Sequence, residues 1–266
     1  MDLNEATPLY DDQLSPDRPE KDADVKTLVR LKKSIVIQKQ KGNVLDPSYI
    51  DPGFYQRFNY SLLPDNNLKG KIAIGVTSPN PSEGKTLVTA NLAVSLALAN
   101  QKDTVILDMN IDNPRLNEVF GVPLGPGLLE ALDDTSIHVT PTAVDNLYIL
   151  PVGEELAAHF RIAAFEKEKP KSTKAVTKPS MGLEQLTAFR DVLYTLQESF
   201  DIVVAELPSI EETRFPSFFM RQFSGIIVVV IAGQTKREEI DKLLFQLNQD
   251  QVIGFVFNRA SKRILP

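Results

Sequence analysis

The sequence predicts an α/β fold: a mostly parallel central sheet with helices on both faces. Three observations carry this expectation. Short β-branched runs alternate with helical patterns from Ile72 to Phe257. The segment Gly225–Ile231 (GIIVVVI) is apolar almost without relief, as in a strand buried on both faces. Between the first apolar run and the first long helical pattern stands the triplet Gly84-Lys85-Thr86, at a strand-to-helix junction.

Taken in order, residues 1–50 read as an N-terminal extension, partly disordered, because 1–24 are rich in Asp, Pro and Glu. From Val25 to Lys41 a short helix followed by a strand is expected. Phe54, Tyr55, Phe58, Tyr60 and Leu62 are spaced for an amphipathic helix over 52–63, which Pro64 ends. Residues 51–266 are then read as the main domain. Its first strand is Ile72–Val76. A helix over Lys85–Asn100 follows, apolar nearly all round and therefore buried. Strands are predicted at Thr104–Leu107 and Leu147–Leu150, a helix at Leu183–Ser199, and a strand at Ile202–Ala205. Gly225–Ile231 is the central strand. An amphipathic helix over Lys236–Asn248 and a last strand at Val252–Phe257 complete the pattern. The Lys-rich stretch 166–178 (EKEKPKSTKAVTK) marks a flexible surface insertion near 164–180, read first as a solvated loop and second as a set of lysines for an acidic partner.

Composition narrows the function classes. A formal charge of -6 among 266 residues argues against a nucleic-acid binder. With no Cys and only 2 His, thiolate and imidazole metal sites have no material. The acidic start carries no secretory leader, and no apolar run approaches the ~20 residues that span a bilayer. A cytoplasmic protein without direct membrane insertion is expected.

The stretch Ser78-Pro-Asn-Pro-Ser-Glu-Gly-Lys-Thr86 has the chemistry of a phosphate loop. Such a loop presents backbone N–H groups at a helix N-terminus, a Lys for the β- and γ-phosphates, and a hydroxyl for Mg²⁺. Ser82, Glu83, Gly84, Lys85, Thr86 and Leu87 are the candidate nucleotide contacts, although Pro79 stands where the general pattern has its first glycine. Two acids at strand ends follow. Asp108 closes the strand Thr104–Leu107, and Glu206 closes Ile202–Ala205 in the manner of a Walker B strand. Thr86, Asp108 and Glu206 are the expected Mg²⁺ ligands, with Asp108 and Glu206 as catalytic residues if the protein turns over. ATP or ADP with Mg²⁺ is the expected cofactor. Plainer roles, a turn cap for Asp108 and an ordinary strand end for Glu206, stay open at this point.

These elements together resemble the bacterial tyrosine kinases (BY-kinases) of capsule and exopolysaccharide synthesis, within the MinD/ParA-like branch of P-loop NTPases. The likeness spans about residues 50–262. Val76–Thr86 is similar to the family's V-T-S-x-x-P-G-E-G-K-[ST], and Asn91-Leu-Ala93 continues it. Asp108–Phe120 and Gly127–Leu132 are similar to D-x-D-x-R-R-P…F…G-L-x-x-x-L. Gly233–Glu239 and Gly254–Arg259 resemble the last helix and strand, which implies Asn258 near the nucleotide base. The departures fall on the chemistry. Ser82 replaces a glycine, Asn110 the second acid, Asp112 and Asn113 a basic pair, and Glu206 the Walker B Asp. Gly53, Gln56 and Asn59 stand where a ring-forming E-x-x-R-x-x-R helix is expected, and no tyrosine follows Tyr194.

The resemblance therefore implies a nucleotide-binding regulatory protein, a pseudokinase of exopolysaccharide or capsule synthesis or export. It would act with a membrane polysaccharide co-polymerase or export component and sit peripherally at the inner membrane through that partner. The aromatic segment around Phe54, Tyr55 and Phe58 either docks the partner or packs on the protein's own sheet. Two alternatives stand beside this reading: an active ATPase or tyrosine kinase acting in trans, and a MinD/ParA-like positioning ATPase. The missing second lysine and membrane helix weigh against the last.

Overall fold

In the computed structural model, residues 33–42, 50, 72–154, 183–210 and 218–260 are described. Residues 25–32, where the short helix before the first expected strand would begin, the expected helix over 52–63 with Gly53, Gln56 and Asn59, and the insertion near 164–180 lie outside them.

The chain runs β1 (Ser34–Ile37), β2 (Ile72–Thr77), α1 (Lys85–Asn100), β3 (Thr104–Asp108), α2 (Leu116–Val119), α3 (Leu128–Asp133), β4 (Ser136–Pro141) and β5 (Leu147–Leu150). It continues with α4 (Leu183–Ser199), β6 (Ile202–Glu206), a 3₁₀ turn at Met220–Gln222, β7 (Gly225–Ile231), α5 (Arg237–Gln246) and β8 (Val252–Asn258). The eight strands form one sheet in the order β1-β4-β5-β3-β6-β2-β7-β8. Every pairing is parallel except β4 with β5. The mostly parallel α/β sheet is as the sequence predicts, with the central strands bounded within a residue or so.

The two faces follow from the period-2 alternation of strand side chains. Ile72, Ile74 and Val76 of β2, Ile106 of β3, Ile202 and Val204 of β6, and Ile227 and Val229 of β7 point one way and are covered by α1 and α2. Ala73, Val105, Leu107, Val203, Ala205, Ile226 and Val228 point the other way, under α3, α4 and α5. Helix α1 fits between because its Val88, Leu92, Ala93 and Leu96 are all buried. Helix α4 is amphipathic instead. Phe189, Val192, Leu193 and Leu196 form its buried stripe at helical spacing, and the Phe189 ring meets Phe219 edge-on at 5.2 Å.

Strand β1 joins the sheet through β4, Ser34 to Ile37 opposite Ser136 to Val139. Lys33 secures the connection: its ammonium donates to the carbonyls of Ala131 at 2.8 Å and Asp134 at 2.5 Å, at the C-terminal end of α3. A cation there meets the negative end of the helix dipole, though partial burial lowers the Lys33 pKa below its ordinary value. At the opposite edge, β8 leaves Ile253, Phe255 and Phe257 exposed.

The register of the central strands places the site. Asp108 and Glu206 are direct partners on β3 and β6, and Val76 is opposite Glu206 on β2. Two acids and the strand feeding the phosphate loop thus end side by side at the carboxyl edge of the sheet.

Candidate nucleotide site

The loop from Ser78 to Gly84 leaves β2 and turns into α1. Thr77 Oγ1 donates to the Pro208 carbonyl at 2.8 Å, and Leu207 N–H to the Val76 carbonyl at 2.8 Å, so the entry to the loop is sewn to the exit of β6. Within the loop, Ser78 Oγ donates to the Asn80 carbonyl at 2.6 Å. The Glu83 carboxylate is buried and accepts from Asn80 N at 3.1 Å, Asn80 Nδ2 at 3.2 Å and Thr235 Oγ1 at 2.5 Å. Glu83 therefore shapes the loop by bridging it to the start of α5.

The far side of the loop is gripped by the end of β8. Asn258 Nδ2 donates to the Glu83 carbonyl at 2.8 Å, and Arg259 to the Ser82 carbonyl at 3.2 Å. Gly84 has a φ of 101°, and a side chain there would run into the Asn258 amide. The glycine is required on both counts. Asn258, expected near a nucleotide base, is thus placed where it holds the loop backbone. Thr235 and Arg259 lie inside the Gly233–Glu239 and Gly254–Arg259 likenesses, but nothing in the sequence marks either as a loop contact.

Ser82 sits at φ 62°, in the left-handed region where glycine is at home. The glycine that the resemblance implies at this position thus has a backbone reason. Ser82→Gly is expected to gain up to about 1 kcal/mol, the relief of strain less the unfolded-chain entropy of the glycine. A thermal melt rising by about 2 °C would register it; a fall would mean that the serine hydroxyl holds the loop.

Lys85 opens α1 and is buried, with Nζ 3.3 Å from Ser78 Oγ. Thr86 lies in the first turn, and its Oγ1 donates to Glu206 Oε1 at 2.8 Å. Leu87 follows, its carbonyl accepting from Asn91 Nδ2 at 2.7 Å. Glu206 Oε1 also accepts from Asn110 Nδ2 at 2.9 Å, and Asn110 N–H donates to Asp108 Oδ1 at 3.0 Å. Asp108 and Glu206 are fully buried. Burial pushes the Asp108 carboxyl well above the usual carboxylate range, and the Glu206 charge pushes it the same way; the N–H dipoles of Asn110 and Leu116 work against both.

The donor set suits a hard cation. Thr86, Asp108 and Glu206 offer only oxygens, and Asp108 Oδ2 and Asn110 Oδ1 are buried without a hydrogen-bond partner. Among the described residues no three His, Cys, Asp or Glu side chains converge into a cage. Mg²⁺ does not need one, since one or two carboxylates with phosphate oxygens and waters serve it. The residues therefore fit Mg²⁺ held jointly with a nucleotide. A cleft of about 630 Å³ opens beside the loop, between Pro79, Asn80 and Ile210 on one side and Glu239, Lys242 and Phe245 of α5 on the other.

Known proteins resemble this chain in sequence and in fold. The chain is 28% identical over 192 residues to the tyrosine-protein kinase CpsD of Streptococcus pneumoniae serotype 4, covering 70% of this chain and 75% of CpsD. Over more than two thirds of its length the chain is thus similar to proteins named as bacterial tyrosine-protein kinases. It is also 27% identical to the succinoglycan biosynthesis transport protein ExoP of Rhizobium meliloti, over 76% of this chain but 24% of ExoP. Among solved structures, the chimerical protein CapA2B2 superposes with a TM-score of 0.58 at 22% identity, covering 79% of this chain and 84% of that one. The septum site-determining protein MinD of Pyrococcus horikoshii, complexed with Mg-ADP, gives 0.52 at 21% identity, covering 73% and 74%. No family model matches the chain. Among the described residues no helix is long and apolar enough to cross a membrane.

Proposed function

We propose that the chain is a nucleotide-binding regulatory member of the BY-kinase family, a pseudokinase that works with a membrane polysaccharide co-polymerase or export component. The observation that carries this reading is the Thr86–Glu206–Asn110 cluster. It keeps a metal-side hydroxyl next to the loop lysine Lys85, while an amide stands at 110 where the resemblance implies an acid. ExoP, a succinoglycan biosynthesis transport protein, supports a role in polysaccharide synthesis or export.

In this reading Lys85 meets the β- and γ-phosphates, and the N–H groups at the start of α1 surround them. Thr86, Asp108 and Glu206 hold Mg²⁺, which neutralises phosphate charge when bound. Asn110, an amide, is unable to take a proton from a substrate hydroxyl, which leaves Asp108 as the one acid beside Glu206. Nucleotide would be bound and sensed rather than spent on tyrosine.

Calorimetric titration with ATP, with and without Mg²⁺, tests this. Micromolar binding that depends on Mg²⁺, with no phosphotyrosine formed on added protein substrate, is the expected result. The reading of an active enzyme rests on the buried Asp108 beside Glu206, a candidate base. Phosphate release or phosphotyrosine formation that vanishes in Asp108→Ala would establish it and overturn the pseudokinase. No binding at any Mg²⁺ concentration would overturn both.

A further inference from the structure

Asn110 and Glu206 are 96 residues apart in sequence, and each is a departure from the family's acids when considered alone. In the fold they meet. The Asn110 amide donates to Glu206 Oε1 at 2.9 Å, the same oxygen that accepts the Thr86 hydroxyl at 2.8 Å. Asn110 is itself almost fully buried, and its N–H is bonded to Asp108. One glutamate oxygen is thus pinned between two donors, one from the phosphate helix and one from the loop after β3.

We propose that Asn110 and Glu206 are a matched pair in which Asn110 is a positioning residue, holding the Glu206 carboxylate against the Thr86 hydroxyl at the metal side of the loop. The longer glutamate reaches Thr86 from the end of β6, and it needs a donor to fix its extra torsion. An acid at 110 would instead face Glu206 with a like charge beside Asp108, all three in the interior. An amide supplies the donor and removes that charge, so the two departures offset one another. The inference rests on the nucleotide reading for its metal half only; the pairing is a property of the folded chain.

Two experiments test it. The first uses thermal melts without nucleotide. Asn110→Asp sets two carboxylates face to face and is expected to lower the melting temperature by about 5 °C. Glu206→Gln keeps an acceptor for both donors and is expected to change it by about 2 °C or less. Combining the two substitutions reverses the bond: the amide now sits on β6 and donates to a carboxylate after β3, at unchanged net charge. The double variant is expected to recover at least half of the loss. A double variant that melts at the sum of the two single shifts would overturn the pairing.

The second measures the Mg²⁺ needed for half-maximal ATP binding. Asn110→Ala is expected to raise it about tenfold, as loss of a group orienting a metal ligand does. In the Glu206→Ala background the same change is expected to add nothing, because Asn110 acts through Glu206. A merely structural role would lower stability without this epistasis. Equal factors in both backgrounds would overturn the positioning role. If the unaltered protein binds no ATP at any Mg²⁺ concentration, the nucleotide reading and the metal half fall together, while the melts still decide the pairing.

Discussion

Lys85→Ala is expected to weaken ATP binding by on the order of 10²–10³-fold, the loss that follows when one member of a buried, hydrogen-bonded charge pair is truncated. The lysine is well placed for so large an effect. It is the first residue of α1 and is buried, with its ammonium at a long 3.3 Å from the Ser78 hydroxyl. Its charge is held where a helix N-terminus already favours anions. The loop's own anchors lie elsewhere. The entry is fixed by Thr77 on Pro208, and the far side by Asn258 on Glu83, neither of which involves residue 85. Calorimetry at saturating Mg²⁺ is the measurement, with a thermal melt to show that the variant is folded. Affinity unchanged from the unaltered protein would mean that the loop survives as scaffold and that nucleotide, if bound, sits elsewhere.

What the sequence made legible was the part dictated by hydrophobic pattern. Strands such as β7 are β-branched runs with a single buried context, and α1 is apolar nearly all round, so period and burial agree. Strand β4 is hard to read in the sequence because Ser136-Ile-His-Val-Thr-Pro141 offers only two large apolar residues, Ile137 and Val139, too few for an alternation to stand out, and it ends on a Pro. Its pairing with β5 is the one antiparallel step in the sheet. The short helix α3 carries too few residues for a helical period to show. Its start is fixed by Glu130, which accepts from the N–H groups of Gly127 and Glu154, each at 2.7 Å.

The candidate site divides in the same way. Gly84, Lys85 and Thr86 are contiguous and could be read from one junction. Asp108 and Glu206 could be read because each ends an apolar strand. What joins them could not, since contacts across the sheet depend on strand order. The sequence shows Asn110 and Glu206 as two separate losses; only the β3–β6–β2 order makes them neighbours of one another and of Thr86. Likewise the grip of Asn258 and Arg259 on the loop follows from β8 lying beyond β7, next to the strand that feeds the loop.

The buried acids set the second large expectation. Asp108→Asn is expected to raise the thermal stability of the nucleotide-free protein near neutral pH while abolishing its Mg²⁺ response. The Asp108 carboxyl is raised above the usual range by burial and by Glu206, so its folded value lies above that of the unfolded chain, about 3.9. Between those two values the native state holds more protons than the unfolded one. Stability contributed by this group is then fully present below the unfolded value and is lost as pH rises through the folded one. Asparagine removes the titration, so melts across pH 4–8 are expected to show a flatter profile for the variant and a gap over the unaltered protein that widens toward neutrality. Each kcal/mol relieved corresponds to about 2 °C at this chain size. A buried carboxylate that costs the nucleotide-free protein stability is what the proposed metal site would require, since strain collects at binding sites. If Asp108→Asn instead melts lower at every pH, the ionised carboxylate is part of what holds the β3 and β6 ends together, and its place in a metal site would lose this support.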